Sequence, residues 1–460
     1  MKIVIQNIGV LKQAELTLGD LTIICGKNNT GKTYATYALY GFLHYWRVDS
    51  FFNVSEREVE RLLTDGSIKL DLNAVVDKTQ NILWDNCNIF NERLAQVFAS
   101  SDKRFAESRF LIWLDDGDIQ PIPTFERLMG AAKTQLFTIS KKADSQFVTI
   151  SLLVEKEKIR IPRGLIRRII GDAVKDIVFG RLFPSPFIAS AERTGAAIFR
   201  KELNFARNRL IEEMNSMENE VDTLGLLSKV YTDYPLPVKH NVEFTRRLEE
   251  LTKKDSFILK DHPDILDDFS DIIGGEYLVT KNDELYYVPK GKRVKLTMDA
   301  SSSAVRSLLD VGFYLRHVAM PGDILMIDEP ELNLHPDNQR RIARLFSRLV
   351  NIGIKVFITT HSDYIIKELN TLIMLNQQDE RIRKIAEIEK YKKSELLDPK
   401  KVKVFMAEES NVLLDGAKRK TKCPTLVPAD IDDKYGIEAK CFDETIEDMN
   451  RIQEEIVWGE

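Results

Sequence analysis

The sequence predicts an α/β fold with a mostly parallel central sheet, an antiparallel β subdomain and a helical insertion between two lobes. Three observations predict it. The apolar run Leu21–Cys25 ends in a glycine and is followed by a helix-forming stretch. From Gly274 onward, apolar strands alternate with amphipathic helices, the pattern of a parallel sheet. Between these ends lies a charged, helix-rich stretch. At roughly 100–200 residues per domain, 460 residues imply two or three structural units.

Each element follows from its own pattern. Ile3 and Ile5, then Ala14, Leu16 and Leu18, repeat with the period of two of half-buried strands. Leu21–Cys25 is continuous, as a buried strand is, and a helix from Lys32 to about Tyr45 follows in an Ala-, Leu- and Tyr-rich segment. Residues 48–185 combine turn signals at Asp65-Gly66, Asp116-Gly117, Pro121 and Pro123 with strand-like runs such as Phe147–Glu155. Lys156, Lys158, Arg160, Arg163, Arg167 and Arg168 make this region locally basic. That reads either as a solvated face or as contact with nucleic-acid phosphates. In residues 196–272, Leu210, Met214, Met217, Val221 and Leu224 alternate spacings of four and three. This short heptad seam reads as a core-facing helix or a projecting helical hairpin; it is too brief for a long coiled coil. Beyond Gly274 we expect a hairpin around Lys281-Asn282-Asp283, a helix over 303–319, a strand over 323–328, a helix over 337–351, a strand over 354–359 and a helix over 362–372. The tail holds a strand at Val402–Met406, a basic run at 418–422 and a helix near Glu444–Val457. The resulting division is an N-terminal lobe (1–195), a helical insertion (196–272) and a C-terminal lobe (273–460).

Composition excludes several classes. Lys and Arg number 66 against 71 Asp and Glu, a net charge of −5, so there is no polybasic coat. No stretch approaches the ~18 apolar residues of a membrane span. Met1–Leu16 interrupts its apolar runs with Gln, Asn and Lys, unlike a signal peptide. The four cysteines are dispersed without a C-x-x-C, which excludes a zinc cluster and a disulfide framework. A cytoplasmic protein with no membrane partner is expected.

The chemistry is concentrated in two segments. Gly26-Lys27-Asn28-Asn29-Thr30-Gly31-Lys32-Thr33 matches the phosphate-binding loop G-x-x-x-x-G-K-[ST] between a strand and a helix. Gly26, Asn28, Asn29, Thr30 and Gly31 would close backbone N–H groups around ATP phosphates, aided by the helix N-terminus. Lys32 would reach the β- and γ-phosphates, and the Thr33 hydroxyl would bind Mg²⁺. The second segment, Asp323–Pro330, is an apolar strand ending in two carboxylates, the Walker B pattern. Asp328 would hold Mg²⁺, and Glu329 would orient and deprotonate the attacking water.

Lys32 and Asp328 lie about 300 residues apart, far more than a compact phosphate-loop domain of roughly 150 residues allows. Asp328-Glu329-Pro330-Glu331-Leu332-Asn333-Leu334-His335-Pro336 resembles the Walker B and D-loop of ABC-type ATPases of the SMC, RecF and OLD class. Ile358-Thr359-Thr360-His361-Ser362 resembles their switch-histidine strand. The resemblance covers residues 1–45 and 275–375 and implies a P-loop ABC-type fold whose lobes are split by an insertion. It implies that His361 bonds the γ-phosphate, while His335 is positional. It also implies a signature loop, matched here by Ser301, Ser302 and Ser303 within Ala300–Ser307, without the usual Gly-Gly. Such a loop completes the site of a second subunit, so a homodimer or higher even oligomer is implied. The Q-loop segment is placed at Phe187–Arg193, with no single residue chosen.

Within that class the chain most resembles PtuA-type anti-phage defence ATPases of Septu and retron-associated systems. The features are its intermediate length, the serine-rich signature, Glu192-Arg193-Thr194-Gly195 and the Pro330–Pro336 run. This implies an ATP-hydrolysing regulatory subunit whose nucleotide-gated dimer controls a separately encoded effector nuclease, of HNH type, with DNA or retron RNA–DNA as a further ligand. The alternatives are a RecF-like repair or recombination ATPase and an ATP-binding scaffold with little turnover. An intrinsic Toprim nuclease would need Glu408 or Glu409 with Asp430 and Asp432, but too few residues follow Val404 to build that domain.

Overall fold

A computed structural model describes residues 1–48, 54–131, 134–154, 162–200, 234–282, 284–438 and 440–458. The seam Leu210–Leu224 and the cations Lys156, Lys158 and Arg160 lie outside the described residues. Two compact units result. One comprises Met1–Ile3, Phe42–Glu92 and Phe110–Ser185; the other comprises Val4–Gly41, Arg93–Arg109 and Pro186–Glu460.

The first unit carries a four-stranded antiparallel sheet, in the order Ser67–Asp71, Phe147–Leu152, Thr134–Lys141, Phe125–Ala131. Its core is aromatic: Phe42 lies 5.0 Å from Phe110 and 5.6 Å from Phe90, centroid to centroid, and Trp46 lies 4.6 Å from Phe183. The helix Arg163–Phe179 buries Ile166, Ile170 and Val174. Its outward Arg163 and Arg167 pair with Glu60 and Glu56 at 3.1 and 3.7 Å. These two cations thus have acidic neighbours on a solvated face.

The second unit is organised by a six-stranded sheet. Its strands are β1 (Leu21–Cys25), β2 (Pro186–Ala189), β3 (Ile324–Asp328), β4 (Lys355–Thr360), β5 (Val402–Val412) and β6 (Thr421–Pro428), in the spatial order β6-β5-β1-β4-β3-β2. All neighbours pair parallel except β5 and β6. The sequence α/β expectation is therefore met. Every residue of β1 and β3 is buried, which explains their unbroken apolar runs: a parallel strand covered on both faces has no polar side to show. Ile342, Phe346 and Leu349 of helix Pro336–Asn351 and Ile365, Leu369 and Leu372 of helix Asp363–Met374 belong to the same core as the sheet residues Ile23, Leu325 and Ile358. Because β1, β3 and β4 run parallel, their carboxyl ends share one edge, where ligands bind in such sheets.

Several local expectations change. The helix expected over 303–319 is three short pieces, Ser303–Ser307, Leu309–Phe313 and a π-helical turn Tyr314–Val318. The strand at Val402–Met406 continues to Val412 and turns back as β6, with Lys418–Lys420 in the connection. The hairpin near 281 is present as Gly275–Val279 against Leu285–Pro289. Of the insertion, helices Leu236–Arg246 and Pro263–Ile273 are described. Among the described residues no helix is long and apolar enough to cross a membrane.

Candidate active site

β1 delivers the chain into Gly26, whose φ of 139° opens the loop. A Cβ at Gly26 would come within 2.5 Å of the Ala407 carbonyl oxygen on β5, so only glycine fits. Asn29 and Gly31 also adopt positive φ, at 62° and 100°. Asn28 and Asn29 are exposed, and Thr30 Oγ1 donates to the Lys27 carbonyl at 2.8 Å, tightening the turn. The helix Lys32–Val48 begins at once, and its first-turn amides have no intrahelical acceptor. An anion suits that position.

Lys32 is buried at the centre. Its Nζ donates to the carbonyls of Gly26 and Lys27 at 3.0 and 2.8 Å. Burial lowers its pKa, and the charges of Glu329 and Asp328 oppose that fall. Thr33 Oγ1 donates to Asp328 Oδ2 at 3.2 Å, joining residues 295 positions apart. Asp328 also accepts from the hydroxyl of Thr359, its register partner across β3 and β4. Burial raises the Asp328 pKa, the two threonine hydroxyls oppose the rise, and Glu329 adds to it. Hydroxyl and carboxylate oxygens converging here are the donor set of a hard divalent cation, so these residues fit Mg²⁺. Among the described residues no group of three or more His, Cys, Asp or Glu side chains could hold a metal by itself. A cation here would therefore need phosphate or water oxygens as well.

Glu329 follows β3 with φ 53°, a left-handed conformation rare outside glycine. Its amide donates to the Thr359 carbonyl at 3.1 Å. Its Oε1 lies 3.2 Å from His361 Nε2. That hydrogen bond is the main cause holding the Glu329 carboxyl below the usual carboxylate range, against partial burial. His361 is positioned in turn by Glu331, which accepts from the His361 amide at 2.6 Å and from Thr360 Oγ1 at 2.9 Å. An ionised carboxylate beside an imidazole can take a proton from water while the imidazole faces a developing phosphate charge.

The fold thus gathers Lys32, Thr33, Asp328, Glu329 and His361 at one sheet edge. The bonds described for Ser301, Ser302 and Ser303 lie within their own stretch of chain. Ser302 caps its helix by accepting from the Val305 amide at 3.3 Å, Ser301 Oγ donates to the Met298 carbonyl at 2.7 Å, and Ser303 Oγ accepts from Arg306 at 3.1 Å. Among the described residues none of these hydroxyls is bonded to the 26–33 loop. His335 likewise caps its helix, accepting from the Asp337 amide at 3.3 Å.

Sequence reasoning did not assign Thr359 or Glu331 as site residues, and it placed Glu192 and Arg193 only within the Q-loop segment Phe187–Arg193 without choosing either. Glu192 accepts from Tyr37 Oη at 3.0 Å, and its charge acts on Asp328. Arg193 lies buried beneath the end of β3. Thr359 stood in the switch-histidine strand, but its place against Asp328 comes from the register of β3 with β4, which no local pattern shows. Glu331 stood in the D-loop-like run and Glu192 in the Q-loop segment, but neither stretch singled out one residue.

The AAA ATPase domain family matches residues 1–163 and 186–366. No curated protein matches the chain. Among solved structures, an SMC head bound to the C-winged helix domain of ScpA is 12% identical over 92% of this chain and 97% of that chain, with a TM-score of 0.33. The SMC head domain from Thermotoga maritima is 11% identical over 94% and 98%, with a TM-score of 0.31. An Smc head domain with an extended coiled coil, bound to the C-terminal domain of ScpA derived from Pyrococcus furiosus, is 13% identical over 98% and 98%, with a TM-score of 0.30. At TM-scores this low, the SMC-head likeness adds nothing to the fold described above.

Proposed function

The chain belongs to the AAA ATPase domain family, and we propose that it binds and hydrolyses ATP as the regulatory subunit of a bacterial anti-phage defence system. One observation carries the hydrolytic part. The Thr33–Asp328 contact sets the two motif segments side by side, with Glu329 following Asp328 in the chain and lying 3.2 Å from His361. In this reading the loop amides and Lys32 take the ATP phosphates. Thr33 and Asp328 hold Mg²⁺, which neutralises phosphate charge when bound. Glu329 orients the attacking water and accepts its proton. His361 donates toward the γ-phosphate.

Lobes 1–195 and 273–460, with the insertion 196–272 between them, are the proposed functional division. Two chains pair about a two-fold axis, and Ser301–Ser303 of one completes the nucleotide site of the other. Opening and closing of that dimer controls a separately encoded HNH-type nuclease, with DNA or retron RNA–DNA as a further ligand. In support of a role in trans, each of the Ser301–Ser303 hydroxyls has its bond close by in its own chain, to Met298, Val305 or Arg306, and among the described residues none is bonded to the 26–33 loop.

The test has two arms. The purified chain should hydrolyse Mg-ATP. Glu329→Gln should keep ATP affinity and lose ~10²–10⁴-fold in turnover, the usual worth of a general base. Parent-rate hydrolysis by Glu329→Gln would sink the assignment of the base. Co-expression with neighbouring genes and pull-down tests the partner; recovery of no nuclease with the ATP-loaded dimer would sink the defence role.

A further inference from the structure

We infer that Arg193 is a positioning residue that ties the attitude of Glu329 to the helix following Ser301–Ser303. This rests on the proposed ATP hydrolysis. Arg193 is 1% exposed and is the largest fully buried side chain among the described residues. Its guanidinium spends its donors on carbonyls of three separate elements. Nε donates to Ser307 at 2.6 Å, at the end of the short helix behind the serine loop. Nη1 donates to Ser190 and to Asp328, each at 2.7 Å. Nη2 donates to Glu329 at 2.8 Å.

The consequence for Glu329 is specific. Its amide is held by Thr359 and its carbonyl by Arg193, so both flanking peptide groups are fixed. That clamp maintains the φ of 53°. The same φ aims the side chain at His361 rather than back along the strand. Held backbone strain of this kind persists only where the surroundings over-determine it. Arg193 supplies that determination and shares it with Ser307. Displacement of the serine helix, as when a second subunit engages it, therefore pulls on the guanidinium that sets Glu329. Asp310, on the next helical piece, places a buried carboxylate near the same guanidinium, without a hydrogen bond to it.

Lysine cannot replace this. It keeps the charge but has three donors on a point ammonium, where arginine offers five in a fixed fork. The experiment compares parent, Arg193→Lys and Arg193→Gln, each with and without Glu329→Gln, by Mg-ATP turnover and by calorimetric ATP affinity. We expect ATP affinity to hold and kcat to fall on the order of 10²-fold, the loss a small misplacement of a reacting group brings. In the Glu329→Gln background, neither change at 193 should lower the residual turnover further, because Arg193 acts through Glu329. Parent-level kcat in Arg193→Lys and Arg193→Gln overturns the inference, as does an equal further loss on top of Glu329→Gln. Loss of ATP affinity together with kcat, or failure of both variants to fold, makes Arg193 architectural and also overturns it. A parent chain without turnover sinks the proposed function, and this inference with it; parent turnover with unaffected 193 variants sinks the inference alone.

Discussion

His361 Nε2 lies 3.2 Å from Glu329 Oε1, so the two side chains at the carboxyl ends of adjacent strands share a proton-bearing contact. The contact settles how each should respond to substitution.

Removing His361 takes away the main cause that keeps Glu329 acidic. A donor to a carboxylate favours the charged form, so its loss raises the carboxyl pKa. His361→Ala should therefore shift the acid limb of the kcat–pH profile to higher pH and reduce kcat at neutrality by roughly 10–100-fold. An unmoved acid limb would show that Glu329 is not the group titrating there.

Lys32 is buried among carboxylates and loop carbonyls, and no other lysine of the loop is buried. Lys32→Ala should abolish tight ATP binding while leaving the thermal unfolding midpoint within a few degrees of the parent. Isothermal titration with Mg-ATP checks it; unchanged affinity would refute the phosphate-loop role.

If the serine loop serves a second subunit, two dead variants should complement. Lys32→Ala protomers mixed with Ser302→Arg protomers form dimers with one doubly defective site and one intact composite site. Partial ATPase activity on mixing is the expected result. Parent-level activity of Ser302→Arg alone would remove the loop from the mechanism.

Asp310 is fully buried, and burial pushes its carboxyl up to about 7, with Arg193 pulling the other way. Its folded value lies above its unfolded one, so the folded state holds a proton that the unfolded state has released. Stability then declines as pH rises from the unfolded value through the folded one. Relative to Asp310→Asn, the parent should lose up to about 1.4 kcal/mol for each pH unit across that window, near pH 4 to 7. Urea unfolding at pH 4, 5.5 and 7.5 measures it; parallel curves for the two chains would contradict the shift.

The parts of this molecule that were legible in its sequence are those where one strand's own pattern decides the outcome. β1 and β3 are continuous runs because both faces are covered; β1 leads directly into Gly26, and β3 ends in Asp328. The residues that complete the site were hidden because they depend on which strands become neighbours. Thr359 matters only because β4 lies beside β3 in a register that pairs it with Asp328. Arg193 matters only because three distant carbonyls converge on it. β6 escaped notice for another reason: its Thr- and Lys-rich start carries no alternation, and its place at the sheet edge demands none. The helix over 303–319 kept its apolar spacing while the backbone broke into shorter turns, since spacing reports which face is buried and not how the hydrogen bonds run.

The pairing of β1 with β5 bears on how the protein is made. Leu21 pairs with Val402, so the phosphate-loop strand waits for a neighbour synthesised roughly 380 residues later, about 20–80 s at ribosomal rates of ~5–20 residues per second. Its other neighbour, β4, emerges only slightly sooner. Until β4 emerges this five-residue apolar strand has neither partner, and until β5 follows, Gly26 lacks the Ala407 backbone against which it is packed. Nucleotide therefore cannot assist the early stages of folding, because its cradle is among the last parts to form. Nascent chains arrested before residue 402 should accumulate as protease-sensitive, chaperone-bound species whatever the ATP concentration.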